Sequence, residues 1–343
     1  MVLSAAPIAT GCKSNTTKTH FISMNILVFG KDGQLGRAFH VLLDSLLPAL
    51  ADQPNIQYVG RSECDLTNVV ALSDLLNQFQ PKLIVNASAY TAVDKAEADI
   101  DQAFAINSKA PEIMAQYAAD HDATFVHYST DYVFDGEKYG YYLEDDMRNP
   151  LGVYGKSKAA GEEAIAGVFA GSHGSGQYAI FRTSWVYGDG GNFIQTILRL
   201  AKDREELKII DDQYGVPTSA AWLAQVSLDL VTHEGLRVRQ FPSGIYHAVP
   251  TGETTWYGLA ALVVQLASEV GVSLRVGPDG IKPIPAVEYP LPAPRPMNSR
   301  MSTDKLGQVL RARGDMSKLE LLNQPWDEAV RSYVRNLAKD GLI

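Results

Sequence analysis

At 343 residues, 46% of them hydrophobic, the chain has apolar material for one large or two ordinary domains. Its formal net charge of −9 and isoelectric point near 5.3 argue against nucleic acid or an anionic membrane surface as the main partner, since phosphates are gripped by clustered Lys and Arg and no such cluster occurs. Two cysteines, Cys12 and Cys64, cannot build a disulfide framework, so a reducing compartment, by default the cytoplasm, is expected.

Residues 1–23, "MVLSAAPIATGCKSNTTKTHFIS", lack the basic n-region and long apolar core of a secretory signal. Gly11-Cys12 has the form of a lipoprotein cleavage site, but the apolar stretch before it is short and carries no basic residue. We expect a flexible extension here, with Met24 either the physiological start or the residue that follows a disordered tail. No run of about 18 apolar residues occurs anywhere, so no membrane-spanning helix is expected.

From Met24 short apolar runs alternate with helical patterns. The runs are "NILVFG", "IQYVGR", "KLIVNASAY", "ATFVHYST" and "YAIFRTSWVYG"; between them lie segments such as "LGRAFHVLLDSLLPAL" and "NSKAPEIMAQYAADH". Strands this uniformly apolar are buried on both faces, which predicts an α/β fold with a Rossmann-like, doubly wound parallel sheet. We expect a dinucleotide-binding body over residues 24–190, with later returns of the chain, and a smaller, interleaved C-terminal region over 191–343 that mainly binds substrate. The segment "AGVFAGSHGSGQ" before the fifth run, rich in Gly and Ser, reads as a flexible surface loop.

Ligands on such sheets sit beyond the carboxyl ends of the strands. After the first run, "GKDGQLG" spaces Gly30, Gly33 and Gly36 by threes between strand and helix. Bare backbone lets the turn close and lets a pyrophosphate reach the free N–H groups of the helix N-terminus. After the second run, "VGRSECDL" shows no acid at the strand tip to chelate an adenosine ribose, and Arg61 is placed to accept a 2′-phosphate, which favours NADPH over NADH. Asp65 and Leu66 would flank the adenine.

The fourth run ends in Ser129-Thr130-Asp131, and "YGKSK" follows with Tyr154 and Lys158 four residues apart, on one face of a helix. A phenol keeps its proton at neutral pH, as a general acid for a carbonyl oxygen must. A nearby ammonium stabilises the phenolate left behind, and Thr130 would bond the same oxygen or the phenol.

These stretches together resemble the extended short-chain dehydrogenase/reductases, and within them the dTDP-4-dehydrorhamnose reductase family. The resemblance runs from Met24 to about Arg335 and rests on "FGKDGQLG", "VNASAYTAVDKAE", "HYSTDYVFDG", "VYGKSKAAGE", "FRTSWVYG", "DDQYGVPT" and "RPMNSR". It implies reduction of the C4 ketone of dTDP-4-dehydro-L-rhamnose by NAD(P)H, supplying rhamnose-containing cell-surface polysaccharide such as lipopolysaccharide O-antigen. It makes Tyr154 the proton donor, has Lys158 bind the nicotinamide ribose and lower the tyrosine's pKa, and has Thr130 tune it. Gly33, Gln34 and Leu35 would touch the pyrophosphate, and Ala87, Ser88 and Ala89 the cofactor beyond the third run. Trp185 would pack on the sugar, with Thr130 and Asp131 near its hydroxyls and Gln213 and Thr218 lining the pocket. Arg295 and Arg300 would hold the diphosphate, as guanidinium groups do. His127 and His247 read as satisfied histidines, and no His/Cys cluster has metal spacing.

The chain also departs from the pattern. Some relatives bridge a dimer with Mg²⁺ through a carboxylate just after the glycine turn, where this chain has Ala38; Glu205 and Glu206 alone make a poor site for a cation that requires near-octahedral oxygen ligands. No metal is expected, and a homodimer is compatible with the sequence but not implied by it. Three other readings compete. A sugar-nucleotide dehydratase needs an acid pair after the Thr, but Asp131 is followed by Tyr132. A reductase or epimerase of another nucleotide sugar would keep every catalytic residue. A non-catalytic, NADP-binding regulatory subunit would not need Tyr154 and Lys158.

Overall fold

Six parallel strands form the central sheet of the computed structural model, which describes residues 24–343; the expectations for residues 1–23, Cys12 included, lie outside the described residues. They are β1 (Asn25–Phe29), β2 (Asn55–Val59), β3 (Leu83–Asn86), β4 (Thr124–Thr130), β5 (Gln177–Thr183) and β6 (Gly244–His247). Their order is β6-β5-β4-β3-β1-β2, with every pairing parallel.

Side chains alternate across a strand, and here both faces are covered. Ile26, Val28, Val85, Val126 and Phe181 enter one core. Leu27, Phe29, Ile84, Phe125 and Ile180 enter the other. The longer helices are α1 (Gln34–Leu46), α2 (Val69–Phe79), α3 (Ala110–Asp120), α4 (Val153–Gly171), α5 (Phe193–Asp203), α6 (Ala220–Val231), α7 (Trp256–Glu269) and α8 (Trp326–Lys339). Leu35, Phe39 and Leu43 of α1 pack with Leu223, Val226 and Leu230 of α6 on the first face. Leu72 and Leu76 of α2, Met114 of α3 and Ile165 of α4 cover the second. A separate core joins α5, α7 and α8 to a parallel pair, Leu207–Ile210 with Ile281–Ile284. So α6 and β6, both beyond residue 190, belong to the sheet body.

Two local expectations change. Strand β6, "GIYH", was not among the five apolar runs; at the sheet edge, pairing β5 alone, it needs less apolar character. The supposed surface loop "AGVFAGSHGSGQ" is half helix. Helix α4 continues to Gly171 because Val168 and Phe169 still face the core, the Phe169 ring lying tilted 4.7 Å from that of Tyr178. Only residues 172–176 form the connection, with Ser175 N–H donating to Asp122 Oδ1 at 2.8 Å. Among the described residues, no helix is long and apolar enough to cross a membrane.

A buried ion pair ties α4 to β5. Arg182 donates from Nε and Nη2 to Glu162 at 2.9 and 2.7 Å, both side chains being almost fully enclosed. Arg182 Nη1 donates to Glu144 O, and approaches His247 Nε2 at 3.4 Å while His247 Nδ1 faces Ser302 O. Burial and the Arg182 charge hold His247 at a pKa of about 3, so the ring is neutral and accepts from Arg182. Removing one partner of a buried pair leaves the other charge uncompensated, typically at about 3–5 kcal/mol. Glu162→Gln should therefore lose about that much stability in urea denaturation; a loss below about 1 kcal/mol would mean that the pair contributes no more than a surface contact.

Candidate active site

The sheet order reverses between β1 and β3, so the connections after these strands part and leave a crevice at their carboxyl ends. Gly30 adopts φ +86°, and a Cβ on Gly36 would lie 2.0 Å from the Gly30 carbonyl oxygen, so only glycine at 36 lets α1 start this close to the strand. Gly33 caps α1 without a side-chain hydrogen bond, which leaves first-turn N–H groups for an anion. Gln34 Oε1 is buried there with no partner. Opposite lies the loop Ala87-Ser88-Ala89: a Cβ on Gly30 would meet the Ala87 carbonyl carbon at 2.7 Å.

At the tip of β2 the structure corrects the sequence reading, which found no acid. The loop folds back so that Glu63 Oε2 accepts the Gly60 N–H at 2.8 Å and Oε1 pairs with Lys31. These bonds, Lys31 first, hold the Glu63 carboxyl down at about 2. The signal was spacing: an acid three residues past a strand-end glycine can return to its N–H. Arg61 is exposed beside Asp65, whose carboxylate caps the turn by accepting from Thr67 N and Oγ1 at 3.0 and 2.9 Å, while Leu66 is buried.

Strand β4 and helix α4 bring the candidate groups together. Thr130 Oγ1 donates to Asp131 Oδ1 at 2.8 Å and accepts the Tyr132 N–H. Ser299 Oγ donates to Asp131 Oδ2. Asp131, 2% exposed, is pushed up to about 6 by burial, against which both hydroxyls work. The Tyr154 ring meets Tyr132 edge-on at 5.4 Å, and burial pushes the phenol up to about 12 while the Thr130 hydroxyl draws it down. The group therefore holds its proton at neutral pH. Lys158, 1% exposed, donates to Tyr128 O and meets His127 Nε2 at 3.2 Å; burial lowers it to about 8, against the pull of Glu162 one turn away. The bonds of Lys158 thus run to β4, and Thr130 is the group that lowers the phenol. His127, fully enclosed and bonded on both sides, is held well below its ordinary value by burial first and the Lys158 charge second.

Residues from the C-terminal half close the crevice. Arg295 pairs with both oxygens of Asp94 at 2.8 and 3.0 Å. Arg300 Nη1 meets Glu253 at 3.2 and 3.3 Å, and its guanidinium lies 5.2 Å from the Tyr214 ring. Both arginines thus carry carboxylate partners in this structure. Trp185 stands half-buried at φ +48°, stacked on Trp256 at 3.7 Å, with Gly215 so close that a Cβ there would sit 2.5 Å from the indole. Gln213 is buried nearby in sequence, and Thr218 is fully enclosed, its hydroxyl on Val216 O and its N–H on Trp185 O. Thr218 therefore braces the Trp185 segment and presents no surface to a ligand.

A chain of contacts joins Thr130, Asp131, Ser299, Arg300, Tyr214, Gly215 and Trp185 into one wall. Sequence reasoning passed over Ser299, Asp94, Glu253 and Trp256. Ser299 and Asp94 stood inside quoted motifs; Glu253 and Trp256 carried no local signal, since only the fold sets them beside Arg300 and Trp185. Among the described residues no group of three His, Cys, Asp or Glu side chains is placed to hold a metal ion, and Glu205 pairs with Arg275 at 3.3 Å.

A family model for the RmlD substrate binding domain matches residues 24–338. The dTDP-4-dehydrorhamnose reductase of Escherichia coli (strain K12) is 43% identical over 290 residues, 83% of this chain and 91% of that protein. A crystallised dTDP-4-dehydrorhamnose reductase from Clostridium acetobutylicum superimposes with a TM-score of 0.77 at 32% identity, over 92% of this chain and 100% of that one. The Bacillus anthracis dTDP-4-dehydrorhamnose reductase, solved in complex with NADP, gives 0.75 at 29% identity, over 91% and 99%.

The buried Asp131 makes a prediction about stability. Its carboxyl ionises near 6 in the folded chain and near 3.8 when unfolded, so between these values the folded state holds a proton the unfolded state releases, and its contribution falls as pH rises. Asp131→Asn should remove that slope, gaining about 3 kcal/mol relative to the parent between pH 4 and 7. Parallel stability curves for the two proteins would contradict the burial assigned to this carboxyl.

Proposed function

The chain belongs to the RmlD substrate binding domain family, and on that premise we propose that it is the reductase that converts dTDP-4-dehydro-L-rhamnose to dTDP-L-rhamnose with NADPH. The feature that carries this reading is a protonated phenol, Tyr154, beside Thr130 and Asp131 and one helical turn from the buried Lys158, on a sheet whose switch point carries a glycine turn. The crevice fits a dinucleotide: a Cβ at Gly30 or Gly36 would fill the turn, and the partnerless Gln34 Oε1 lies where phosphate ester and ribose groups would pass.

When bound, the nicotinamide supplies the hydride for C4. Every other step falls to side chains. Tyr154 gives its proton to the C4 oxygen as the alcohol forms, and its pKa near 12 keeps the phenol protonated beforehand. Thr130 bonds the same oxygen or the phenolate left on Tyr154. Lys158, once its ammonium turns to the nicotinamide ribose, adds positive charge that eases phenol ionisation. Trp185, propped by Trp256, packs on the sugar ring, and Arg295 and Arg300 exchange Asp94 and Glu253 for diphosphate oxygens. Residues 24–190 serve mainly the cofactor and 191–343 mainly the nucleotide sugar. At the β2 tip Glu63 engages Lys31 and the Gly60 N–H, which leaves exposed Arg61 as the cation for a 2′-phosphate; with the NADP complex of the Bacillus anthracis relative, this supports use of NADPH with NADH accepted. We place the chain in the cytoplasm, feeding rhamnose into surface polysaccharide.

Loss of NADPH absorbance with dTDP-4-dehydro-L-rhamnose tests the reaction. Tyr154→Phe should lower kcat by about 10²–10⁴-fold with KM little changed, the usual contribution of a positioned acid. NADPH should serve at least as well as NADH. Equal activity of Tyr154→Phe and the parent would overturn the assignment.

A further inference from the structure

Beneath Lys158 lies a buried chain of polar groups that the reaction above does not use. Asn86, the last residue of β3, accepts the Ser88 N–H on Oδ1 at 3.1 Å and turns Nδ2 toward His127 Nδ1 at 3.1 Å. His127, next in the sheet on β4, turns Nε2 toward Lys158 Nζ at 3.2 Å. Asn86 and His127 are fully enclosed and Lys158 nearly so, so no water competes for these bonds.

A neutral imidazole carries one proton, so one ring nitrogen donates and the other accepts. With Asn86 Nδ2 donating to Nδ1, the proton sits on Nε2, and Nε2–H finds an acceptor in Lys158 only when that amine is neutral. With Lys158 an ammonium, Nε2 must accept, Nδ1 must donate, and Asn86 must present Oδ1 to the ring. That rotation releases the Ser88 N–H. Ser88 stands in the loop that faces the glycine turn and, on the proposed function, touches the cofactor.

We propose that His127 is a positioning residue which, through Asn86, couples the charge on Lys158 to the Ser88 N–H: the ammonium frees that N–H for the cofactor, and the neutral amine ties it back to Asn86. The titratable groups about this chain are few. Lys158 faces His127 from β4 and Glu162 from its own helix, with Tyr154 on the preceding turn; Glu162 is already neutralised by Arg182 of β5 and Arg148. The ring of His127 otherwise meets Phe125 and Asn86. Burial keeps His127 from taking a second proton. The inference rests on the proposed function only in giving Ser88 a cofactor to bind.

Histidine-¹⁵N spectra of the whole chain read the tautomer directly, the His127 signals being assigned by their loss in His127→Phe. The ring proton should move from Nδ1 to Nε2 as pH rises through about 8, where Lys158 loses its charge. A Lys158→Met chain should hold the Nε2–H form throughout. In the kcat pH profile with NADPH, His127→Phe should move the limb set by Lys158 about one unit toward lower pH, because a hydrogen bond to the ammonium is worth more than one to the amine. His127→Gln, whose amide offers donor or acceptor, should bring it back. One tautomer across the range, or an imidazolium, overturns the proposal; so does an unshifted limb in a folded His127→Phe. A chain whose tautomer exchanges yet which consumes no NADPH contradicts the proposed reaction and leaves the coupling standing.

Discussion

A lysine amine removed from water sets the geometry of the candidate active site. Lys158 is held by a main-chain carbonyl, Tyr128 O, and by an imidazole, and both lie on the strand against which its helix packs. Burying a charge costs several kcal/mol unless it is bonded and countered, so α4 can approach β4 only in the register that satisfies it. The Arg182–Glu162 pair, one turn further along α4, enforces the same register from β5. Tyr154, one turn before Lys158, is thereby fixed over the end of β4, beside Thr130.

Around that anchor the environment separates groups by charge. Burial lifts the phenol and the Asp131 carboxyl, and lowers the lysine and the two enclosed histidines. The result is a centre that stores a proton on Tyr154 at neutral pH and keeps little net charge in the crevice. Positive charge stands on Arg295 and Arg300, each held by a carboxylate that, on the proposed function, a diphosphate would displace. Such exchange costs affinity but selects for a ligand with two or more negative charges in the right place.

Much of this was legible in the amino acids. The parallel sheet could be read because strands covered on both faces are apolar throughout, and the glycine turn because at Gly30 and Gly36 only glycine tolerates the closeness of the neighbouring backbone. Tyr154 and Lys158 were legible from helical spacing. What escaped has physical causes as well. Edge strand β6 needs little apolar character, and the tail of α4 hid behind its glycines. Glu63 returned to the strand tip through a loop whose path no periodicity records. Thr218 sat in a polar motif yet is sealed inside, and Trp256 meets Trp185 only because α7 is laid against that segment by the fold. Local pattern reveals elements and turns; partners separated by dozens of residues emerge from packing.

On the proposed function, the phenol of Tyr154 and the hydroxyl of Thr130 converge on one sugar oxygen above the dinucleotide crevice. A crystal structure with NADP and dTDP-L-rhamnose measures this directly. The account predicts both oxygens within about 3 Å of the C4 hydroxyl, hydrogen-bonding reach for a general acid, and the nicotinamide on the Gly30 side of the ring. A sugar seated with C4 beyond the reach of Tyr154, or a dinucleotide lying away from the glycine turn, would contradict it.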